Sequence, residues 1–301
     1  MKTADLVRAT ADLGNSNGKI IAGNKKSIDS SNVQEVAKGT FGSWQVNDKY
    51  YLIGENARAK FDTNKITENK KALLGRTLYP LVEDGANIEL VTLLPLSLYI
   101  NQDNKEKYAE LLKGEYTVIN PSEAEKKFKV ESVEICAEGF SSLVTDAKLL
   151  QEPLFLVDIG GVDLTGVFVN RTPDANRMFT SERGMNVFYT ELGKYLTSKL
   201  LETYTNKDTE ILYNKYESLA DDLKATIDEF ATDYIEKYIY QPLRDIDYKP
   251  LLHKLILVGG GAIALKRYLE KDDNITVLEN AIWSNVEGAN LISLRRNKKK
   301  C

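Results

Sequence analysis

The sequence predicts an α/β protein built from two related halves. Two segments share one pattern, in which a strand-like run ends in Asp, a glycine-rich turn follows, and a second strand-like run begins. This pattern contains Asp12-Leu13-Gly14 in the first half and Asp158-Ile159-Gly160 in the second. A third glycine turn, Gly259–Gly261, follows the buried strand pattern Leu255–Val258. Turns of this kind bring carboxylates and backbone amides to a metal-bound phosphate.

Composition limits the class of protein. The chain has 301 residues, enough for roughly two domains, and its content of 43% hydrophobic and 28% charged residues is ordinary for a globular protein. A net charge of −4 gives no basic field for direct nucleic-acid binding. We find no apolar run long enough for a membrane helix and no signal-peptide core, so we expect a cytoplasmic protein without membrane contact.

Metal and disulfide chemistry are limited by the few residues that could supply them. Cys136 and Cys301 are the only cysteines, which predicts neither a disulfide framework nor a zinc cluster. His253 is the only histidine, and we interpret it as the residue that leads into the Leu255 strand.

In the first half, residues 4–29 are predicted to form a hairpin around Asp12, and residues 30–75 a small polar subdomain. The segment Gly14–Lys19 resembles a Walker A loop, but it is one residue short and Ile20 replaces the required Ser or Thr, so we reject that motif. Lys19 either reaches a phosphate or is a solvated lysine at a strand start. Further on, the pattern predicts strands at Ile88–Leu94, Tyr116–Ile119 and Lys129–Cys136, and a helix at Lys105–Lys113.

Glu138 follows the last of these strands and precedes Gly139 and a predicted apolar helix, Phe140–Leu150. The carboxyl end of a strand is where α/β sheets place ligand groups, and there Glu138 could orient a water for attack on a phosphate. The alternative is a glutamate that favours a helix start through the helix dipole.

In the second half, the central hairpin is followed by a predicted strand at Arg177–Ser181 and a helix at Asn186–Leu201. Residues 207–241 form a long helical region that Pro242 is expected to end. Its aromatic residues recur at helical spacing, which favours a stripe that faces the core over a partner-binding face. The triple glycine leads into a helix at Ile263–Leu269, a strand at Ile275–Leu278 and a last helix at Ser284–Leu294.

At this point the motifs resemble those of the actin/Hsp70/sugar-kinase ATPase superfamily, and within it the bacterial actin-like proteins of the plasmid-segregation ParM type. Six segments in order carry the resemblance: Asp12–Lys19, Thr92–Ile100, Glu134–Leu143, Val157–Gly161, Leu257–Ala262 and Trp283–Asn290. They span nearly the whole chain, and their order is more specific than any one of them. One departure is that Val162 and Asp163 stand where the family usually has Thr or Ser after Gly-Gly.

The resemblance implies an actin-like (ribonuclease H-like) α/β fold of two domains with a nucleotide cleft between them. The domains would be residues 1–150, with a subdomain at about 30–75, and residues 151–301, with a subdomain at about 186–250. It implies ATP or ADP with Mg²⁺, which Asp12 and Asp158 would hold through water, and it makes Glu138 the residue that orients the attacking water. The implied nucleotide-binding residues are Gly14, Asn15, Ser16, Asn17, Lys19, Gly160, Gly161, Val162, Glu182, Gly184, Gly259, Gly260, Gly261 and Ala262.

By the same resemblance, the protein is an ATPase that is stimulated by head-to-tail assembly with itself. Such filaments segregate plasmid DNA through a separate DNA-binding adaptor protein on a centromere-like site, and the net charge of −4 fits indirect contact with DNA.

Three alternatives remain open. A sugar-type small-molecule kinase of the same superfamily would share both Asp-Gly hairpins. A Rossmann protein would explain Gly259–Ala262, but only 40 residues follow Gly261, too few for a βαβαβ half. A scaffold that binds nucleotide without hydrolysis is the third alternative, and Glu138 argues against it.

Overall fold

The computed structural model describes residues 6–58 and 65–298, which divide into two compact units. Unit 1 combines residues 1–147 with residues 283–301, and unit 2 is residues 148–282. Cys301 and the first two residues of the hairpin predicted at 4–29 lie outside the described part of the chain.

Unit 1 is built on a mixed sheet whose described strands have the order β3-β2-β1-β7-β9-β8-β5-β6-β4. Alternate residues of the first strand, Ala9, Ala11 and Leu13, are buried in the core of this unit, as a period of two predicts. The strands are β1 (Leu6–Leu13), β2 (Asn17–Ala22), β3 (Lys25–Ser30), β4 (Val33–Val36), β5 (Trp44–Val46), β6 (Lys49–Ile53), β7 (Ala86–Leu94), β8 (Gly114–Ile119) and β9 (Glu125–Ala137).

The helices of unit 1 include α1 (Glu68–Leu78), α2 (Leu96–Tyr99) and α3 (Gln102–Leu112). Helix α3 begins where the Asn101 side chain accepts the N–H groups of Asp103 and Asn104, and it buries Tyr108 and Leu112 against the sheet.

The predicted helix Phe140–Leu150 was wrong. Two short 3₁₀ helices, Phe140–Thr145 and Ala147–Gln151, occupy this segment. The Ser142 hydroxyl donates to the carbonyl of Gly139, and the Thr145 hydroxyl donates to the carbonyl of Ser142 at 2.6 Å. Such local side-chain bonds compete with the α-helical pattern, which explains the tighter turns.

Unit 2 is built on a sheet with the order β12-β11-β10-β13-β14. Its strands are β10 (Leu154–Ile159), β11 (Leu164–Asn170), β12 (Thr172–Ser181), β13 (Lys254–Val258) and β14 (Ile275–Val277). Strand β10 pairs antiparallel with β11 and parallel with β13, and alternate residues Phe155, Val157 and Ile159 enter the core.

The two sheets repeat one topology, as the paired hairpins predicted. In each unit an antiparallel three-stranded meander comes first, and its first strand pairs with a later parallel strand on the other side. In unit 1 these neighbours of β1 are β2 and β7, and in unit 2 those of β10 are β11 and β13. Asp12 and Asp158 are both the next-to-last residue of that first strand.

Unit 2 contains α4 (Met185–Leu200), α5 (Asn206–Asn214), α6 (Asp221–Ile235), α7 (Gln241–Asp245), α8 (Gly260–Ala264) and α9 (Lys266–Leu269). The aromatic stripe packs into the core, as predicted: Tyr213 and Tyr234 are buried, and Tyr216, Phe230 and Tyr238 are half-buried against them. Pro242 does not end the helical region. A π-helical turn, Glu236–Tyr240, leads into α7, and Pro242 lies in the first turn of α7, where its missing N–H is not needed.

Helix α4 is followed by the capping residue Leu201, which is 92% exposed and has a left-handed backbone with φ of 59°. This conformation strains a residue with a Cβ. We expect Leu201→Gly to raise the free energy of unfolding by about 0.5–1 kcal/mol, because the relief of strain exceeds the added entropy of the unfolded chain. Urea unfolding would measure the change. Leu200→Gly, one residue earlier in regular helix, should lower stability by about 1 kcal/mol, and equal effects of both changes would contradict the prediction.

The last helix, α10 (Ser284–Lys298), belongs to unit 1, so the predicted second domain of residues 151–301 is too long at its C-terminal end. Ala289 of α10 is buried with Val91, Leu93 and Cys136. A Cβ built on Gly288 would overlap the carbonyl oxygen of Ser141, so glycine is what allows the helix to approach this closely.

Across residues 6–58 and 65–298, no helix is both long enough and apolar enough to cross a membrane.

Candidate functional site

The candidate site residues of unit 1 begin at the turn between β1 and β2. Asp12 and Lys19 lie directly opposite each other on the two strands, and Lys19 Nζ contacts Asp12 Oδ2 at 3.1 Å. Gly14 opens the turn, where a Cβ would lie 2.6 Å from the carbonyl oxygen of Asn17. The tight turn therefore requires glycine at this position, and it places Asn15 and Ser16 at the end of the hairpin.

Asp12 is 4% exposed, yet it is surrounded by positive charge. Burial alone raises the pKa of its carboxyl group, but the charges of Lys19, Lys65 and Lys70, with the hydrogen bond from Lys19, lower this pKa below its ordinary value. The carboxylate therefore stays ionised at neutral pH, which is the form that binds a cation.

Lys70 of α1 anchors the same turn. Its Nζ donates to the carbonyl oxygens of Leu13 at 2.7 Å and Gly14 at 3.1 Å, and to Asn15 Oδ1 at 3.0 Å. In contrast, Asn15 Nδ2 and Ser16 Oγ are buried and have no hydrogen-bond partner among the described residues. Buried polar atoms without a partner are costly, which points to a ligand or water that completes the turn.

Glu138 comes directly after β9, and its Oε1 accepts from Lys65 Nζ at 3.0 Å. Lys65 is 3% exposed and lies at the segment that leads into α1. The next residue, Gly139, has φ of 71°, and its N–H donates to Asn285 Oδ1 of α10 at 2.8 Å. The loop that carries Glu138 is thus held from α10, and its carboxylate is held by a buried ammonium group.

The sequence did not predict three residues that contact the candidate site in unit 1: Lys65, Lys70 and Asn285. A helix-start signal exists at Thr67-Glu68 and could have placed α1 correctly. Nothing in the sequence predicts that the flanking lysines are buried, because lysine is seldom buried unless it is paired.

The candidate site residues of unit 2 begin at the turn after β10. The N–H of Gly160 donates to the carbonyl oxygen of Asp163 at 2.8 Å, and this bond closes the turn. The N-terminus of α4 holds the other side, since Met185 N donates to Gly160 O at 3.0 Å and Asn186 N to Gly161 O at 2.8 Å. The Gly160 N–H is therefore occupied within the turn. Of the backbone amides predicted to bind phosphate here, those of Gly161 and Val162 remain as candidate donors.

Gly184 precedes α4 and packs against the same turn. A Cβ there would lie 2.6 Å from the carbonyl carbon of Val162 and 2.7 Å from Gly160 O. Its N–H donates to Val162 O at 2.9 Å. Glu182, two residues earlier, is exposed in the link between β12 and α4.

The triple glycine follows β13 and lies against β10. Gly259 has φ of 89°, and a Cβ there would lie 2.5 Å from Ile159 O and 2.6 Å from Asp158 Oδ1. A Cβ on Gly261 would overlap the Ile159 side chain, whereas Gly260 faces open space. Ala262 is fully buried. The structure therefore brings Asp158, the turn at 160–163 and Gly259–Gly261 together within unit 2.

The donor set fits Mg²⁺ with a polyphosphate. Mg²⁺ keeps several waters and is usually held by one or two carboxylates together with substrate phosphates. In the described part of the chain, no group of three or more His, Cys, Asp and Glu side chains could form a protein-only metal cage. A Mg²⁺ held by a carboxylate together with substrate phosphates fits the residues found here. Asp12 is ionised, Asn15 Nδ2 and Ser16 Oγ have no partner among the described residues, and the glycine turns expose backbone.

Comparison with known proteins agrees with this fold. Residues 10–140 match the family of actin like proteins, N terminal domain. No curated protein matches the sequence. The crystal structure of the actin-like protein Alp7A is similar at a TM-score of 0.79 and 18% identity, with 98% of this chain and 100% of that chain covered.

Two further structures are similar over their whole length. Ta0583, an archaeal actin homolog solved in complex with ADP, has a TM-score of 0.76 and 14% identity, covering 96% of this chain and 99% of that one. A 15-stranded ParM filament from Clostridium botulinum has a TM-score of 0.73 and 18% identity, with 97% of this chain and 99% of that chain covered. Residues 10–140 therefore resemble an actin-like N-terminal domain, and the chain as a whole has an actin-like fold.

Proposed function

We propose that this protein is an ATPase of the ParM type, which assembles into filaments and segregates plasmid DNA. The observation that carries the proposal is the repeated Asp turn, in which each unit ends its first strand with Asp12 or Asp158 beside a glycine turn. Two properties of similar proteins support it: Ta0583 was solved with ADP, and the ParM of Clostridium botulinum was solved as a filament.

In this proposal, Asp12 and Asp158 hold Mg²⁺ through water, and the turns at 14–17 and 160–162 bind phosphate groups of ATP. Bound Mg²⁺ supplies charge neutralisation at the phosphates. Lys19 lies beside Asp12 and adds positive charge for an anion. Gly259–Ala262 approach the adenosine, and Glu182 and Gly184 complete the nucleotide contacts.

Glu138 orients the attacking water in this proposal. Its carboxylate lies at the carboxyl end of β9 and is paired with Lys65 at 3.0 Å. In this proposal, the carboxylate accepts a hydrogen bond from water and directs the water's lone pair toward phosphorus.

Assembly follows from a head-to-tail contact that does not close on itself, which generates a filament. We propose that filament growth moves plasmid copies through a DNA-binding adaptor protein on a centromere-like site. The net charge of −4 favours this indirect contact with DNA.

Right-angle light scattering with Mg-ATP, Mg-ADP or no nucleotide tests the proposal. We expect a rapid rise with Mg-ATP that decays as phosphate is released, and filaments in negative-stain images. Asp12→Asn should abolish the rise, because it removes the charge that holds the cation. Asp103→Asn, at an exposed site in the first turn of α3, is the matched control and should assemble normally.

A flat trace over a wide range of protein concentration would contradict the filament proposal. The next experiment would then be a screen of sugar and acid substrates for phosphoryl transfer, since a small-molecule kinase of the superfamily shares the same hairpins.

A further inference from the structure

We propose that Lys70 is a positioning residue that fixes the Asn15 amide, so that Asn15 Nδ2 donates a hydrogen bond to a phosphate oxygen of the nucleotide. This inference rests on the proposed function. It assigns a ligand contact to the Asn15 side chain and gives a role to a buried lysine that the sequence patterns did not reveal.

The first step is the geometry of Lys70. Its side chain is 6% exposed, and its ammonium group meets the three acceptors Leu13 O, Gly14 O and Asn15 Oδ1 at 2.7, 3.1 and 3.0 Å. An ammonium group has three N–H donors and no acceptor. The three bonds use all of them, so Lys70 acts on the turn and is not itself a phosphate donor.

The second step is the orientation of the Asn15 amide. The oxygen and nitrogen of an amide are distinguished by their hydrogen bonds, and a lysine can only donate. Lys70 therefore selects Oδ1 as its partner and directs Nδ2 away from itself. Nδ2 is buried and has no acceptor among the residues that the structure describes. We infer that a bound ligand supplies this acceptor.

The third step is the chemistry of the missing acceptor. Ser16 Oγ, the next side chain in the turn, is also buried without a partner in the described residues. Two adjacent donors call for an acceptor with more than one oxygen. Around the turn, the described groups named above are three ammonium groups, Lys19, Lys65 and Lys70, and two carboxylates, Asp12 and Glu138, and these five carry one net positive charge. A phosphate group meets both requirements.

The alternative is that Lys70 only stabilises the fold of the turn. In that case, changes at Asn15 would alter nucleotide binding only as far as they unfold the turn. Asn15→Asp and Asn15→Ala together separate the two explanations, because Asn15→Asp keeps an acceptor for Lys70 but adds a charge that repels phosphate, whereas Asn15→Ala removes the N–H donor without adding a charge.

The experiment measures two quantities for each variant, the melting temperature of the nucleotide-free protein and the Kd for Mg-ATP and Mg-ADP by calorimetry. For Asn15→Asp we expect a melting temperature equal to or above that of the wild type, with Kd raised about 10- to 100-fold by the lost charge-assisted hydrogen bond and by repulsion between the new carboxylate and the phosphate. Asn15→Ala should raise Kd about 10-fold without an added charge. A wild-type Kd for Asn15→Asp would overturn the inference.

Lys70→Met tests the positioning step. We expect it to raise Kd in the wild-type background and to have no further effect on Kd in the Asn15→Ala background, because Lys70 acts through Asn15. Additive effects of the two changes would overturn the positioning role. Lys71→Met is the matched control, since it removes the same charge from α1 but its side chain lies over the Tyr116 ring; its Kd should equal that of the wild type.

If Lys70→Met does not fold, the two Asn15 variants still decide between the explanations. If the wild type binds neither Mg-ATP nor Mg-ADP, the proposed function fails and this inference fails with it. If the wild type binds and the Asn15 variants bind equally well, only this inference fails.

Discussion

Replacing Glu138 by Gln is expected to lower phosphate release from assembled protein by about 100-fold or more, while Mg-ATP still drives assembly. The amide keeps the shape of the side chain but cannot take a proton or carry the negative charge that Lys65 pairs with at 3.0 Å. Because the nucleotide turn at Asp12–Asn17 is left intact, the filaments should persist after they form. Light scattering should therefore rise as in the wild type and then fail to decay.

A phosphate-release assay run alongside light scattering measures both effects. Glu134→Gln is the control, since Glu134 lies on β9, the strand that precedes Glu138, and pairs with Arg296 on the surface of the unit. Its rate should stay within about twofold of the wild type, in the range expected for a surface change. An unchanged rate of phosphate release for Glu138→Gln or Glu138→Ala would refute the role of Glu138.

Replacing Gly288 by Ala is expected to lower the free energy of unfolding by about 3 kcal/mol or more. A Cβ at this position would overlap the backbone carbonyl oxygen of Ser141, which cannot rotate away as a side chain could. Either α10 must move outward or the 3₁₀ helix Phe140–Thr145 must shift. Either movement also disturbs the bond from Gly139 N–H to Asn285 Oδ1 at 2.8 Å.

Thermal and urea unfolding of the nucleotide-free protein measure this loss. Gly260→Ala is the matched control, because Gly260 starts a helix and nothing lies within 4 Å of the added Cβ. That change should leave stability unchanged or raise it by about 1 kcal/mol, as alanine favours helix over glycine. A stability of Gly288→Ala within about 0.5 kcal/mol of the wild type would contradict the packing described for α10.

The parts of the fold that the sequence predicted are those set by local pattern. Strand β10 and its turn at Gly160 follow from the apolar run Leu154–Val157, from the Asp that ends it and from the glycines after it. The same reasoning predicted the β1–β2 hairpin and the strand before Gly259. Each feature depends on residues within one short segment.

The parts that were missed or wrong depend on contacts between distant segments. Lys70 bonds to a turn 55 to 57 residues earlier in the chain, and Lys65 pairs with Glu138, 73 residues later. No local periodicity reports such a partner. The same holds for α10, whose position in unit 1 depends on Gly288 meeting Ser141. The roles proposed for the site residues stay predictions until the binding and hydrolysis measurements are made.

The discontinuity of unit 1 has a consequence for synthesis on the ribosome. Residues 148–282 leave the ribosome as one uninterrupted stretch, so unit 2 has its full sequence before α10 has been made. Until then, Val91, Leu93 and Cys136 lack the cover that Ala289 gives them in the finished protein. In that finished state burial raises the pKa of the Cys136 thiol to about 12 and makes it unreactive. Until α10 docks, the nascent chain therefore lacks this cover over its apolar surface and its thiol, and transiently exposed apolar surface of this kind is what chaperones protect.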